Sequence, residues 1–300
     1  HYSINRDACY NEEPIQQKWN GIAQHVSAVV IGSTDTVVLT LFSTLQNVSI
    51  YSVYYLVING LQKIFVSATT GFQSYYGELW AKNETEILKK SFGYLVWVVH
   101  AGTVFVFGCT SLLIVPFINI YTKGVADANY NVPVFALFIT LAYAAYCIRI
   151  PYSIMILAGN HYSQTQKCYT VAVGLNIVVS VITVKLHGLV GVAVGTLIAM
   201  VYQTVWMAVY NSNNLVCWPF SCFLKQLLAD VLSFLPPYFI CSTWTLSVSS
   251  YAAWIYLAVK VSIIWIVFIV IINTVFYRDH IISLLHKLKH VARMRRTGKL

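Results

Sequence analysis

A few charged side chains interrupt long apolar stretches, and these residues are the ones that could do chemistry. Lys63 and Arg149 are cations inside apolar runs, and Asp35 is an acid inside another. An ionisable group at membrane depth is costly unless it faces protein or water, so each indicates a functional site. Lys63 lies near the middle of its run, too far from either end to reach the headgroups easily. It therefore predicts a cavity inside a membrane protein.

Polar residues accompany Lys63 at helical spacing. The predicted substrate cavity includes Lys63, Tyr55, Asn59 and Ser67. These four residues follow one another in steps of four and are expected to share one helix face. A second interpretation stays open for such stripes, because hydroxyl and amide groups also hydrogen-bond neighbouring helices and hold a membrane bundle together.

Two further ionisable residues have alternative interpretations. Arg149 precedes Pro151, which predicts a bend in the helix. Arg149 either lines the cavity or reaches the headgroups about ten residues away. Asp35 either binds a coupling ion, a proton or sodium, or pairs with a neighbouring amide.

The composition indicates whether these residues lie in water or in a membrane. Of the 300 residues, 58% are hydrophobic and 10% are charged, and the mean hydropathy is +0.67. This excludes a cytosolic domain. The net charge of +9 does not indicate a nucleic-acid partner, because the basic residues lie at the edges of apolar blocks rather than across one face.

The apolar runs predict an all-α integral membrane protein. About twenty apolar residues are needed to cross the hydrocarbon core as a helix. Eight transmembrane helices are expected at 17–41, 48–77, 93–117, 132–158, 168–184, 189–210, 227–248 and 252–276. A GxxxG step in the stretch with Gly188, Gly191 and Gly195 predicts close helix packing. The seven cysteines form no CxxC pair, and neither a metal nor a cofactor is expected.

The basic residues predict the orientation. With both termini cytoplasmic, fourteen Lys and Arg residues lie on the cytoplasmic side and two, Lys123 and Lys185, lie outside. Residues 277–300 form a basic amphipathic segment, expected to lie as a cytoplasmic tail on the inner membrane surface.

Several segments follow one another in an order typical of a known family. The first are Ser33-Thr34-Asp35-Thr36, the run from Tyr51 to Asn59, and the stretch through Ser67, Ala68 and Gly71 to Gly77-Glu78. The later ones are Arg149-Ile150-Pro151, Ala158-Gly159, Thr165, Asn176, and Gly188, Gly191, Gly195 and Thr196. Together these segments, which cover nearly the whole chain, resemble the second half of a bacterial polysaccharide flippase of the multidrug/oligosaccharidyl-lipid/polysaccharide exporter superfamily.

The resemblance implies two lobes of six helices around a central cavity, which alternates between the two sides of the membrane. Residues 1–16 would then be a cytoplasmic link between lobes, 17–210 the six-helix C-terminal lobe, and 211–276 two additional helices. The chain would be an incomplete half that lacks its N-terminal lobe, located in the bacterial plasma membrane.

The resemblance also implies a cargo. Lys63, with Arg149 as a second candidate, would meet the diphosphate of a polyprenyl-linked oligosaccharide used for capsule, O-antigen or exopolysaccharide synthesis. Exporters of drugs or of peptidoglycan lipid share this architecture and remain alternatives. A membrane polysaccharide polymerase or ligase is disfavoured, because the sequence contains no paired carboxylates, nucleophile motif or phosphate-binding glycine loop.

Overall fold

The computed structural model describes residues 18–216, 218–244 and 248–282, and these residues form nine helices and no strand. The helices are α1 (Lys18–Phe42), α2 (Leu45–Thr69), α3 (Gly71–Ala81), α4 (Thr85–Tyr121), α5 (Pro133–Ala158), α6 (Tyr162–His187), α7 (Leu189–Asn214), α8 (Phe220–Ser242) and α9 (Tyr251–Phe276). The predicted all-α fold class is confirmed. The predicted segment 1–16 and most of the predicted tail, residues 283–300, lie outside the described residues.

The second predicted span is two helices, α2 and α3, which meet at Thr70. The Thr69 hydroxyl donates to the Phe65 carbonyl, and the Thr70 hydroxyl donates to the Val66 carbonyl, both at 2.7 Å. Hydroxyls that bond back to the preceding turn compete with the helical ladder and bend helices. Gly71, a poor helix former, follows directly. The helical pattern continues through this junction, which is why the sequence predicts one span.

The helices have the length and composition of membrane spans. Within the described residues, the six helices from α4 to α9 are long and apolar enough to cross a membrane. The two 25-residue helices α1 and α2 are each about 37 Å long, which exceeds the roughly 30 Å hydrocarbon core. Large apolar side chains such as Ile263, Val267 and Val270 of α9 are exposed on the outer surface. The chain is a multi-pass membrane protein.

Helix α5 lies at the centre of the fold. It packs against α2, α3, α4, α6 and α7, and these helices with α1 make up the α1–α7 bundle. Large aromatic side chains fill its core, including Tyr54, Phe92, Phe135 and Tyr152. Helices α8 and α9 pack on each other and on α4. Helix α4 has 37 residues, about 56 Å in length, and joins this pair to the bundle.

The glycines predicted for helix packing lie at the α6–α7 hairpin. A Cβ on Gly191 would overlap the backbone of Thr183, and one on Gly195 would overlap the Ser180 hydroxyl. Gly188 lies in the turn between the helices with φ of +55°, a conformation that side chains rarely adopt. The small residues therefore let α7 lie directly against α6.

Candidate functional site

A polar cavity of about 270 Å³ lies between α2, α5 and α7, with single residues from α1 and α6 completing its wall. Its lining contains four tyrosines, two glutamines, one asparagine and one arginine, and no carboxylate. The lining residues are Gly32, Tyr55, Asn59, Gln62, Tyr143, Tyr146, Arg149, Ser153, Tyr169, Met200 and Gln203. Hydrogen-bonding groups and one fixed positive charge thus face a single space.

Arg149 is the only charged residue in this lining and is 7% exposed. Its guanidinium carbon lies 4.5 Å from the centroid of the Tyr146 ring, a distance typical of a cation–π contact. Within the described part of the chain, Arg149 Nη1 and Gln203 Nε2 are buried and have no hydrogen-bond partner. Buried donors without acceptors are costly, so this pair favours a ligand that carries acceptor oxygens.

A second polar cavity, of about 170 Å³, adjoins the first at Arg149. Arg149, Tyr146 and Ser153 line both cavities. The second cavity adds hydroxyl and amide groups from the α2–α3 junction, namely Thr69, Thr70 and Gln73. Its lining also contains no carboxylate. The Arg149 charge is therefore available to a ligand in either space.

The structure brings together three of the five residues predicted for the substrate cavity. Tyr55, Asn59 and Arg149 line the 270 Å³ cavity, whereas Lys63 and Ser67 are exposed and lie outside both cavities. Each step of four residues turns a helix by about 40° beyond a full circle, so a stripe with that spacing rotates off its starting face. A role for Lys63 and Ser67 in substrate binding stays a prediction.

The sequence pattern missed other residues of the cavity. Gln62 follows Tyr55 by seven residues, almost two full turns, and lines the cavity with it. This seven-residue spacing could have identified Gln62 from the sequence. Tyr143, Tyr146 and Gln203 lie on apolar helices α5 and α7, where no polar stripe marks them, and only the packing of the helices brings them to the cavity.

Asp35 lies in a separate buried cluster between α1, α2 and α7. It is 1% exposed and accepts a hydrogen bond of 2.9 Å from the Tyr51 hydroxyl. The Thr196 hydroxyl lies 2.7 and 2.8 Å from its two carboxylate oxygens, and Asn176 Nδ2 donates to that hydroxyl over 3.2 Å. Among the described residues, no cation pairs with Asp35.

Two further oxygen atoms of the cluster lack partners. Asn176 Oδ1 and Ser180 Oγ are buried without a hydrogen bond to any described residue. Asp35, Thr196 and Asn176 therefore bring several polar atoms and one formal negative charge together, with no counterion among the described residues, and Ser180 lies one turn from Asn176 on α6. Oxygen ligands of this kind suit hard cations, and a carboxylate can also bind a proton. The side chain of Asn176 also interacts with the Asp35 carboxylate itself, which is the amide pairing that the sequence left open as the alternative.

Comparison with known proteins adds one structural relative. No family model matches the chain, and no curated protein matches its sequence. The fold is similar to that of the lipid II flippase MurJ in an inward closed conformation, with a TM-score of 0.62 and 18% identity. The match covers 94% of this chain and 57% of that chain. The chain therefore shares its fold with that protein and spans about 57% of that protein's length.

Proposed function

We propose that this chain forms one lobe, with two additional helices, of a transporter that moves a polyprenyl-diphosphate-linked oligosaccharide across a bacterial plasma membrane. The cavity between α2, α5 and α7 receives the polar headgroup, and the polyprenyl chain stays in the bilayer. A second lobe closes the cavity, and the two lobes alternate access to either side. The similarity to a lipid II flippase that is longer than this chain supports this arrangement.

The observation that carries the proposal is Arg149. Arg149 Nη1 and Gln203 Nε2 line one cavity, and neither has a hydrogen-bond partner among the described residues. With no carboxylate among the described lining residues, this arrangement favours an anionic ligand. A guanidinium binds phosphate oxygens through two parallel hydrogen bonds. The asparagine, glutamine and tyrosine groups around it suit sugar hydroxyls. A cationic drug would meet a positive charge here, so the lining disfavours a multidrug exporter.

The second candidate function is export of a peptidoglycan lipid precursor. The fold similarity to a lipid II flippase favours it. Both cargoes carry a polyprenyl diphosphate, so Arg149 has the same role in each, and the sugars distinguish them. An oligosaccharide of capsule or O-antigen type and lipid II are therefore compared in the same binding experiment below.

Asp35 is the proposed coupling site. The charge of its buried carboxylate has no counterion among the described residues, and within the same part of the chain Asn176 Oδ1 has no hydrogen-bond partner. We infer that a proton or a sodium ion binds there. The site lies close to the substrate cavity. Tyr51 donates a hydrogen bond to Asp35, and its ring stacks on that of Tyr55, which lines the cavity, with ring centroids 5.5 Å apart.

The experiment is a binding titration of the full chain in lipid nanodiscs. The ligands are undecaprenyl diphosphate, undecaprenyl monophosphate, lipid II and an undecaprenyl-diphosphate oligosaccharide. Arg149→Gln is expected to weaken diphosphate binding by about 10-fold or more, because a hydrogen bond to a charged group contributes about 1.5–3 kcal/mol. Lys260→Gln, on α9 far from the cavity, is the matched control and should bind like the unmodified chain.

Other outcomes distinguish the alternatives. Equal binding by Arg149→Gln and the unmodified chain would contradict the proposed role of the cavity. If Lys63→Gln weakens diphosphate binding and Arg149→Gln does not, the anion site lies on the exposed face of α2 instead. Tighter binding of lipid II than of the oligosaccharide would select the second candidate function.

A further inference from the structure

Two buried side chains of α7 bind the backbone of α5 on either side of Arg149. The Thr204 hydroxyl donates to the Ala145 carbonyl over 2.8 Å. Asn211 Nδ2 donates to the Tyr152 carbonyl over 3.1 Å. Thr204 and Asn211 are 5% and 1% exposed. Because Arg149 lies between the two contacted carbonyls in the sequence, α7 holds the stretch of α5 that carries the proposed anion site.

The two contacts keep α5 and α7 in one register. Residue 145 pairs with 204 and residue 152 with 211, so the partners are 59 positions apart in each pair. On both helices seven positions, almost two full turns, separate the contacts, which therefore lie on one face of each helix. The helices run parallel here, and neither can slide or rotate against the other without breaking a buried hydrogen bond.

The stretch of α5 between the contacts includes a weak point of the helix. In a regular helix the Cys147 carbonyl accepts from the N–H of residue 151, but Pro151 has no N–H. A proline inside a helix thus removes one bond of the ladder and permits a bend. Arg149 lies between Cys147 and Pro151, so the direction of its side chain depends on how this stretch is held.

The two α7 side chains use their hydrogen-bond donors on backbone. Asn211 Nδ2 carries two hydrogens, and it also donates to the Met207 carbonyl of α7 over 2.8 Å. The Thr204 hydroxyl shares its single hydrogen with the Met200 carbonyl, also at 2.8 Å. Neither Thr204 nor Asn211 is among the described residues that line the two polar cavities. Any effect of these side chains on a ligand therefore passes through the helix that they bind.

We propose that Thr204 and Asn211 are positioning residues for the anion site, an inference that rests on the proposed binding of a diphosphate at Arg149. They hold the stretch around Pro151 so that the Arg149 guanidinium faces the cavity. Gln203 precedes Thr204 on α7, and its Nε2 and Arg149 Nη1 line one cavity without a partner among the described residues. Helix α7 carries one of these donors and fixes the helix of the other. A diphosphate, which has several acceptor oxygens, then meets both donors in a preformed arrangement.

The test is a binding titration of the full chain in lipid nanodiscs with undecaprenyl diphosphate and undecaprenol. The neutral headgroup of undecaprenol gives Arg149 no anion to bind. Thr204→Val keeps the shape of the side chain and removes the donor, and it is expected to weaken diphosphate binding by about 2- to 10-fold, the effect of one hydrogen bond. Undecaprenol binding should not change. Asn211→Leu should show the same pattern.

Two further variants control for packing. Thr204→Ser keeps the hydroxyl and should bind diphosphate like the unmodified chain. Thr140→Val is the matched control on α5, because it removes a buried hydroxyl that donates to the Ala136 carbonyl of α5 itself. It should bind both ligands like the unmodified chain. Weaker binding of both ligands by Thr204→Val would show a general packing role and would overturn the proposal.

A double-mutant cycle then tests whether Thr204 acts through Arg149. In the Arg149→Gln background, Thr204→Val should cause no further loss of diphosphate binding, because the group that it positions is gone. Additive losses would overturn the positioning role.

Failure of this inference is distinguishable from failure of the proposed function. If Arg149→Gln binds diphosphate as tightly as the unmodified chain, the proposed function fails. If Arg149→Gln weakens diphosphate binding and Thr204→Val does not, the anion site stands and the positioning role is wrong, whether or not Asn211→Leu folds.

Discussion

The Thr196 hydroxyl lies 2.7 Å from the Asp35 carboxylate, although 161 positions separate the two residues in the chain. This contact joins α1 to the α6–α7 hairpin in the interior of the membrane-spanning bundle. Thr196 follows Gly195, whose missing side chain lets α7 approach Ser180 of α6. The close helix packing and the oxygen cluster around Asp35 are therefore two parts of one local arrangement.

Substitution of Asp35 tests whether this cluster binds an ion. Asp35→Asn keeps the shape of the side chain and removes an uncompensated buried charge, so the variant is expected to fold with unchanged or higher thermal stability. If sodium binds there, the unmodified chain gains thermal stability in sodium relative to potassium, and Asp35→Asn loses this gain. If the unfolding temperature is the same in sodium and in potassium at every pH, sodium is excluded and a proton remains as the candidate ligand. The coupling proposal would be contradicted if Asp35→Asn changed neither the sodium dependence nor the pH dependence of thermal stability.

The α6–α7 contact predicts a strong effect at Gly195. In Gly195→Ala the new methyl group overlaps the Ser180 hydroxyl and backbone, which should destabilise the fold by about 1–3 kcal/mol. Gly174→Ala is the matched control on α6, since a Cβ at Gly174 meets no atom within 4 Å. The control should be neutral or gain up to about 1 kcal/mol. Chemical unfolding in detergent measures both, and equal effects would show that the helices are not in close contact.

Gly108 makes a similar contact on the other side of the bundle. A Cβ at Gly108 of α4 would overlap the indole ring of Trp265 on α9. Gly108→Ala is therefore expected to weaken the docking of α9 and to cost about 1–3 kcal/mol. Trp265→Ala removes the overlapping ring atoms, so the double variant should be more stable than the sum of the single effects predicts. Additive effects in this double-mutant cycle would contradict the contact.

A pH effect is expected from His161, which lies in the connection between α5 and α6. Burial lowers the pKa of His161 below its ordinary value of about 6.5, and its Nδ1 lies 2.7 Å from the Tyr210 hydroxyl. The unfolded chain therefore binds this proton more readily than the folded chain does. The contribution of His161 is fully present above pH 6.5 and is lost as the pH falls through the lowered pKa.

The measurement for His161 is thermal unfolding between pH 7 and pH 5. His161→Phe should show a smaller decrease in stability toward acid than the unmodified chain. His187→Gln is the control, because that side chain is exposed at the end of α6. An unaltered acid response in His161→Phe would mean that His161 does not titrate differently in the two states.

The local pattern of the sequence predicts the helices better than it predicts the cavity. Apolar runs locate the spans because a helix must satisfy its own backbone in lipid. The stripe on α2 includes Tyr55 and Asn59, which line the polar cavity, but a spacing of four residues turns the later members of the stripe away from the face that α5 covers. Gln203 was missed because its place in the cavity depends on residues of α2 and α5 that are far away in the chain, and helical periodicity does not contain this information.

The length of α4 has a consequence for the depth of the protein in its membrane. At about 56 Å it is far longer than the hydrocarbon core, and both α5 and α9 pack against it. We expect a thinner or thicker bilayer to change how much of α4 is immersed, and we expect hydrophobic mismatch to tilt α4 together with the helices packed on it.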